Sequence, residues 1–197
     1  MPDLPDYITH YHLPDRAPFL NLSDLDDDRL AAVLSELATT GGSQRRFGPA
    51  YMRLRRGTER LLRERFLERG GRPIRQSPHY FVLGESAWFR GLYRDAREVR
   101  LRLVDLPADQ VSFTIPDSIT SMGLLARLGH AQPIRPHHGA AFRLDELAEV
   151  VERYGRPDSP APASYDGHQL EEFEHYVEVQ VWSDDAVGLS DRRRDAR

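Results

Sequence analysis

The chain predicts an α+β fold, with helices mostly N-terminal and packed on a mixed or antiparallel sheet. Three observations carry that prediction. Apolar residues recur at helical spacing mainly before residue 70, the period shortens to two from Tyr80 onward, and the two kinds of segment are segregated. Strict alternation of strand and helix, the mark of a doubly wound sheet, is missing. At 197 residues, 40% hydrophobic and 29% charged, the chain suits a single domain over 1–197 with a real apolar core.

The elements follow in order. Tyr7-Ile8-Thr9-His10-Tyr11-His12 is rich in β-formers and stops at Leu13-Pro14, which predicts a first strand. Asn21 to Asp24 offer a helix N-cap, and Asp24, Asp26, Asp27 and Asp28 load the first turn with favourable negative charge. Leu30, Val33, Leu34 and Leu37 form the apolar stripe, and Gly41-Gly42 is the expected stop. A second helix runs from Pro49 to about Arg69, with Tyr51, Leu54, Leu61, Leu62 and Phe66 inward and Gly70-Gly71 at its end. Strands are predicted at Tyr80–Leu83, Val99–Val104 and Val111–Thr114. A short helix follows Pro116-Asp117-Ser118 toward Gly129. A brief strand at Ala140–Arg143 leads to a helix from Asp145 to Tyr154, stopped by Gly155. Residues 156–164 read as an exposed Pro-rich loop, 176–182 as the clearest strand, and 190–197 as a frayed charged tail.

Composition excludes several chemistries. Cysteine is absent and all 27 basic residues are arginine, which removes thiolate nucleophiles, cysteine-ligated metals, Schiff-base lysines and the P-loop lysine. No run approaches the roughly 20 apolar residues of a membrane span, and Met1 to Asp6 lack the features of a secretory signal. A cytoplasmic location without a membrane partner is the expectation. Eleven arginines between Arg45 and Arg75 face only Glu59, Glu64 and Glu68, inside a chain whose total charge is −4. Such a basic segment fits a nucleic-acid or acidic partner, or a solvated helix laced by pairs such as Glu59–Arg63.

Two constellations carry candidate chemistry. On the last strand Val177, Val179 and Val181 share one face, and Tyr176, Glu178, Gln180 and Trp182 the other. A carboxylate and an amide between aromatics can wall a polar cleft and stabilise developing positive charge. The same pattern also describes a sheet face turned to water, the commoner outcome for antiparallel sheets. The second constellation is His10 and His12 on one strand face, with His137 and His138 in a later loop. Three imidazoles and a carboxylate suffice for a metal site.

The first strand, Tyr7-Ile8-Thr9-His10-Tyr11, resembles the opening Y-x-I-T-H strand of small ADP-ribosyltransferase-fold proteins, DarT-like DNA-targeting toxins among them. The strand Val177-Glu178-Val179-Gln180-Val181 is similar to that family's glutamate-bearing strand, and Arg75 to Phe81 looks like its central strand. Tyr176 stands where the fold's other signature has Gln or Glu, and Gln180 follows the acid instead. The resemblance implies NAD as a small-molecule nucleotide substrate. It makes Glu178 the catalytic acid that accepts a ribose hydroxyl and His10 the residue that orients the ribose or amide. Tyr80 would stack on the nicotinamide, Arg16 or Arg75 would meet the pyrophosphate, and Gln180 would complete the cofactor-binding set. The Arg45–Arg75 segment would then offer a place for a nucleic-acid acceptor. The alternatives are a metal enzyme built on His10, His12, His137 and His138, and a non-catalytic interaction module using the arginine-rich helix.

Overall fold

Six short runs of β-branched and aromatic residues pair into one sheet. They are β1 (Tyr7–His12), β2 (His79–Leu83), β3 (Arg97–Arg102), β4 (Val111–Thr114), β5 (Phe142–Arg143) and β6 (Glu178–Val181). The computed structural model describes residues 4–40, 48–124, 129, 133–166 and 173–189. Strand order is β3-β1-β2-β6-β4-β5, and every neighbouring pair is antiparallel, so the sheet is not mixed. Five helices accompany it among the described residues: α1 (Asp27–Thr40), α2 (Pro49–Glu68), α3 (Ala87–Arg90), α4 (Ser118–Ser121) and α5 (Leu147–Tyr154). None is long and apolar enough to cross a membrane.

Strand β6 sits between β2 and β4, and both of its faces are covered. On one side Val177, Val179 and Val181 pack with Phe81, Phe113 and the Leu147, Val150 and Val151 stripe of α5. Each valine so buried stabilises the fold by about 2 kcal/mol. On the other side Trp182 meets Leu54, Leu62 and Phe66 of α2. The expectation that Glu178 and Gln180 face water is therefore wrong. Alternation along a strand reports which residues share a face, but α2, a hundred residues away, supplies the cover.

Several boundaries shift for local reasons. The third strand is Arg97–Arg102, because Leu103–Asp105 turns into a 3-10 segment tied by Leu106 N–H to Leu103 C=O. The helix after Asp117 stops at Ser121 and does not run toward Gly129; residues 125–128 lie outside the described ones. The α5 helix starts at Leu147 after a 3-10 turn, and Gly155, at φ 86, ends it as the sequence predicts. The glycine stop at 41–42, Arg45, Arg46 and the tail 190–197 also lie outside the described residues. Between Pro157 and Ser164 the chain holds no regular element and is largely exposed.

One irregularity positions the site. Strands β1 and β3 pair along the whole of Tyr7–His12, and β2 pairs with β6 from His79 to Val82. Between β1 and β2, however, register pairing is confined to Ile8↔Leu83 and Thr9↔Val82. Beyond Thr9 the two strands part, and the side chain of His10 takes over the backbone's role.

Candidate functional site

The parting of β1 from β2 opens a cavity of about 800 Å3. Its walls come from β1, β2, the segment 13–22, α2, α3 and the turn into α4, and His10, Arg16, Tyr80 and Glu178 all line it. That volume lies in the range of small-molecule sites. By pairing parity His10 belongs to the valine side of the sheet and Glu178 to the other. They reach one hollow because the strands separate at that point.

His10 is the wedge in the split. Its Nδ1 lies 2.8 Å from the Tyr80 carbonyl, and its Nε2 accepts the Phe19 N–H at 3.2 Å. The acceptor role of Nε2 places the proton on Nδ1, so the ring is neutral with both nitrogens engaged. Burial pushes its pKa down to about 4. Phe19, the donor, holds a φ of 65 that a non-glycine residue rarely adopts, and its ring lies 4.7 Å from His10. His10 therefore offers a ligand its ring, while its nitrogens brace the two strands.

Glu178 lies on the opposite wall. Its Oε1 accepts from the Ser118 N–H at 3.2 Å and from Gln180 Nε2 at 3.0 Å. Burial, with the neighbouring charge of Asp117, raises its pKa to about 7. Asp117 also lines the cavity and caps α4 through the N–H groups of Ile119 and Thr120. No cation pairs with Glu178 among the described residues. An acid balanced near neutrality can both release and take a proton.

The other predicted residues divide. Tyr80 lines the cavity, donates its hydroxyl to Glu59 Oε1 at 3.1 Å, and carries the Arg55 guanidinium 4.7 Å from its ring centre. Burial and Glu59 hold its phenol well above the usual range. Arg16 lines the cavity and pairs with Glu36 at 2.7 Å. Arg75 does not: it bridges Asp24 and Asp184, and Asp184 also meets His79 Nε2 at 2.9 Å. That cluster ties the start of β2 to the turn after β6, so the expected phosphate contact by Arg75 is corrected. Gln180 is fully buried behind Glu178 and does not reach the hollow, which corrects its expected ligand contact.

The metal constellation does not assemble. Both His10 nitrogens are engaged, and His12 Nδ1 bonds the Leu13 and Arg16 carbonyls at 2.9 and 3.0 Å. His137 and His138 meet edge to face, with His137 also against Tyr154. Among the described residues no three His, Asp or Glu converge as metal ligands.

The basic segment is mostly paired with acids and carbonyls of its own chain, much of it at the surface. Arg55 holds Glu59, Arg56 holds Asp27, Arg65 holds Glu68, Arg69 holds Glu146, and Arg63 reaches the Pro73 and Arg75 carbonyls. Arg53 and Arg60 are exposed. The expected Glu59–Arg63 surface pair is replaced, because Glu59 is buried at 2% exposure.

Sequence reasoning passed over four contributors. Asp117 was visible only as a turn residue. Arg55 and Glu59 were counted as surface charge, although Glu59 stands three and seven residues before Leu62 and Phe66 and so shares their buried stripe. The aromatic end of the cavity, where Trp88, Phe89, Tyr93, Tyr165, Phe173 and Tyr176 gather, joins α3 to residues about eighty positions later. Trp88 stacks on His175 at 4.4 Å, and the Tyr165 hydroxyl donates to the Trp88 carbonyl. Comparison with protein-family models, curated proteins and solved structures finds no match to this chain.

Proposed function

We propose that the cavity binds NAD and that Glu178 supports cleavage of its nicotinamide–ribose bond, with transfer of ADP-ribose to an acceptor or to water. The observation that carries the reading is an unpaired acid balanced near pH 7 on the wall of a large, aromatic-rich hollow. In the step, the bond between C1′ and the ring nitrogen breaks and its electron pair leaves with nicotinamide. The ribose gains oxocarbenium character, which an ionised Glu178 stabilises while accepting a hydrogen bond from a ribose hydroxyl. The acceptor oxygen or nitrogen then forms the new bond to C1′, and its proton passes to Glu178 or to solvent. Arg16 is the predicted arginine available on the cavity wall for the pyrophosphate, and Tyr80 and the α3 aromatics offer ring faces to the nicotinamide.

A nucleic-acid acceptor is compatible with a second basic area. Arg90, Arg94 and Arg97, all exposed, rim a shallow hollow whose wall includes Tyr93, a residue shared with the main cavity. These three make no ion pair among the described residues, unlike most of Arg45–Arg75. Phosphate contacts there would weaken steeply with salt.

The test is chromatographic detection of free nicotinamide from NAD by the purified chain. Turnover lost in Glu178→Gln while NAD binding persists supports the proposal. Turnover kept in that variant, or no NAD binding by calorimetry in the unmodified protein, overturns it.

A further inference from the structure

We infer that Gln180, fixed from behind by Ser112 and Trp182, is a positioning residue that decides which oxygen of Glu178 meets the ligand. The inference rests on the reading of Glu178 as the working acid, and it follows from the direction of each hydrogen bond. Trp182 Nε1 can only donate, and it donates to Ser112 Oγ at 2.8 Å. With one of its two lone pairs so used, the Ser112 hydroxyl donates its proton to Gln180 Oε1 at 2.7 Å. That bond fixes the amide, whose Nε2 then donates to Glu178 Oε1 at 3.0 Å and reaches Thr114 Oγ1 at 3.3 Å. Ser112, Thr114, Gln180 and Trp182 are all fully buried, so no solvent competes for these groups.

The polarity of the chain has a chemical consequence. Glu178 Oε1 receives two N–H donors, from Gln180 and Ser118, and has no room to carry a proton. A proton on Glu178 then sits on Oε2, the oxygen left by the Gln180 amide and the Ser118 N–H, in a cavity-lining carboxyl that the Ser118 hydroxyl also hydrogen-bonds. Gln180 thus keeps Oε1 as the anchored oxygen and Oε2 as the one that exchanges protons or meets a ribose hydroxyl. The titratable groups facing Glu178 are Asp117 before α4 and Tyr80 on β2, the latter held by Glu59 and Arg55 of α2. On β4 the facing residues, Ser112 and Thr114, do not titrate in this range.

Infrared difference titration of the protonated carboxyl stretch, with Glu178 isolated by subtracting Glu178→Gln, reads this without any turnover. Gln180→Met removes a donor to the ionised form, and Trp182→Phe removes the indole N–H, with the five-membered ring that carries it, while keeping an aromatic ring against Phe66. Gln180→Met should raise the Glu178 midpoint by about 0.5–1 pH unit, the range one lost hydrogen bond to a carboxylate commands, and Trp182→Phe, which frees the Ser112 hydroxyl to turn from Gln180, should raise it in the same direction by less. Gln180→Met should also move the stretch frequency, because Oε1 loses a donor, and Trp182→Phe should move it the same way because that donor is no longer held in place. Midpoint and frequency unchanged in Trp182→Phe overturn the inference, and this conservative variant decides the matter if Gln180→Met does not fold. A shifted midpoint in a protein that never cleaves NAD sinks the proposed reaction and leaves the relay standing; cleavage with an unmoved midpoint does the reverse.

Discussion

Glu59 and Glu178 are two buried acids on elements that wall the same cavity, yet their surroundings give them different work. Glu59, on α2, gathers its donors on one oxygen: Arg55 Nε at 3.1 Å, Ser23 Oγ at 2.9 Å and the Tyr80 hydroxyl at 3.1 Å. A guanidinium neutralises it, and the group joins α2, β2 and the segment after Asn21. Glu178 receives only neutral donors, the Gln180 amide and the N–H and hydroxyl of Ser118, and the charge that most affects it is Asp117, of the same sign. Burial beside a cation makes a strut, whereas burial beside an anion leaves a proton poorly decided. The contrast explains how one residue type at one depth can be neutralised as a strut in one corner and left with a raised pKa in the other.

Substitutions can break or sharpen this contrast. The largest effect is expected from Glu178→Gln, which under the proposed reaction should lower NAD cleavage by about 10²–10⁴-fold, the usual worth of a positioned acid or base. The same change should stabilise the fold at pH 8. A carboxyl whose folded pKa is about 7, against an ordinary 4.5, contributes stability that is complete at low pH and lost as pH rises from 4.5 to 7. Removing the charge restores about 3 kcal/mol above pH 7 and little at pH 4, measurable by denaturant titration at the two values. Glu59→Gln should do the opposite: about 3 kcal/mol lost from a half-broken ion pair at pH 8, with the pH profile of the proposed cleavage unmoved.

His10 tests the split itself. Its folded pKa of about 4, against 6.5 unfolded, gives stability that is present above pH 6.5 and lost as pH falls toward 4. His10→Ala should therefore cost about 3 kcal/mol at pH 8 through two lost hydrogen bonds and a cavity, and clearly less at pH 4.5. An equal loss at both pH values would contradict the neutral, doubly bonded ring. The smallest effect belongs to Asp117→Asn, which keeps a good helix cap while deleting the like charge. It should lower the midpoint of the cleavage profile by about half a pH unit with little change in melting temperature.

Much of the fold was legible because it depends on local pattern. The β-formers of Tyr7–His12, the alternation at Glu178–Val181, and the Pro49 start and glycine end of α2 are signals written within a few residues. Candidate residues were legible in the same way: His10, Tyr80, Arg16 and Glu178 do line one cavity, and each lies on or beside a predicted strand. Arg75 and Gln180 were misplaced because residue type cannot say what stands opposite. Two aspartates claim the first, and a serine from β4 claims the second.

The sequence alone determined most of the helices and strands (α3 excepted), the valine face of β6 and the absence of thiol and lysine chemistry, since these follow from backbone preference, side-chain period and composition. Only the tertiary structure decided where β1 and β2 part, that α2 covers the polar face of β6, and that Glu178 stands without a cation while Glu59 has one. Those features depend on which distant residues meet, and the charge state of a buried acid is set by its neighbours in space, to which its neighbours along the chain give no guide.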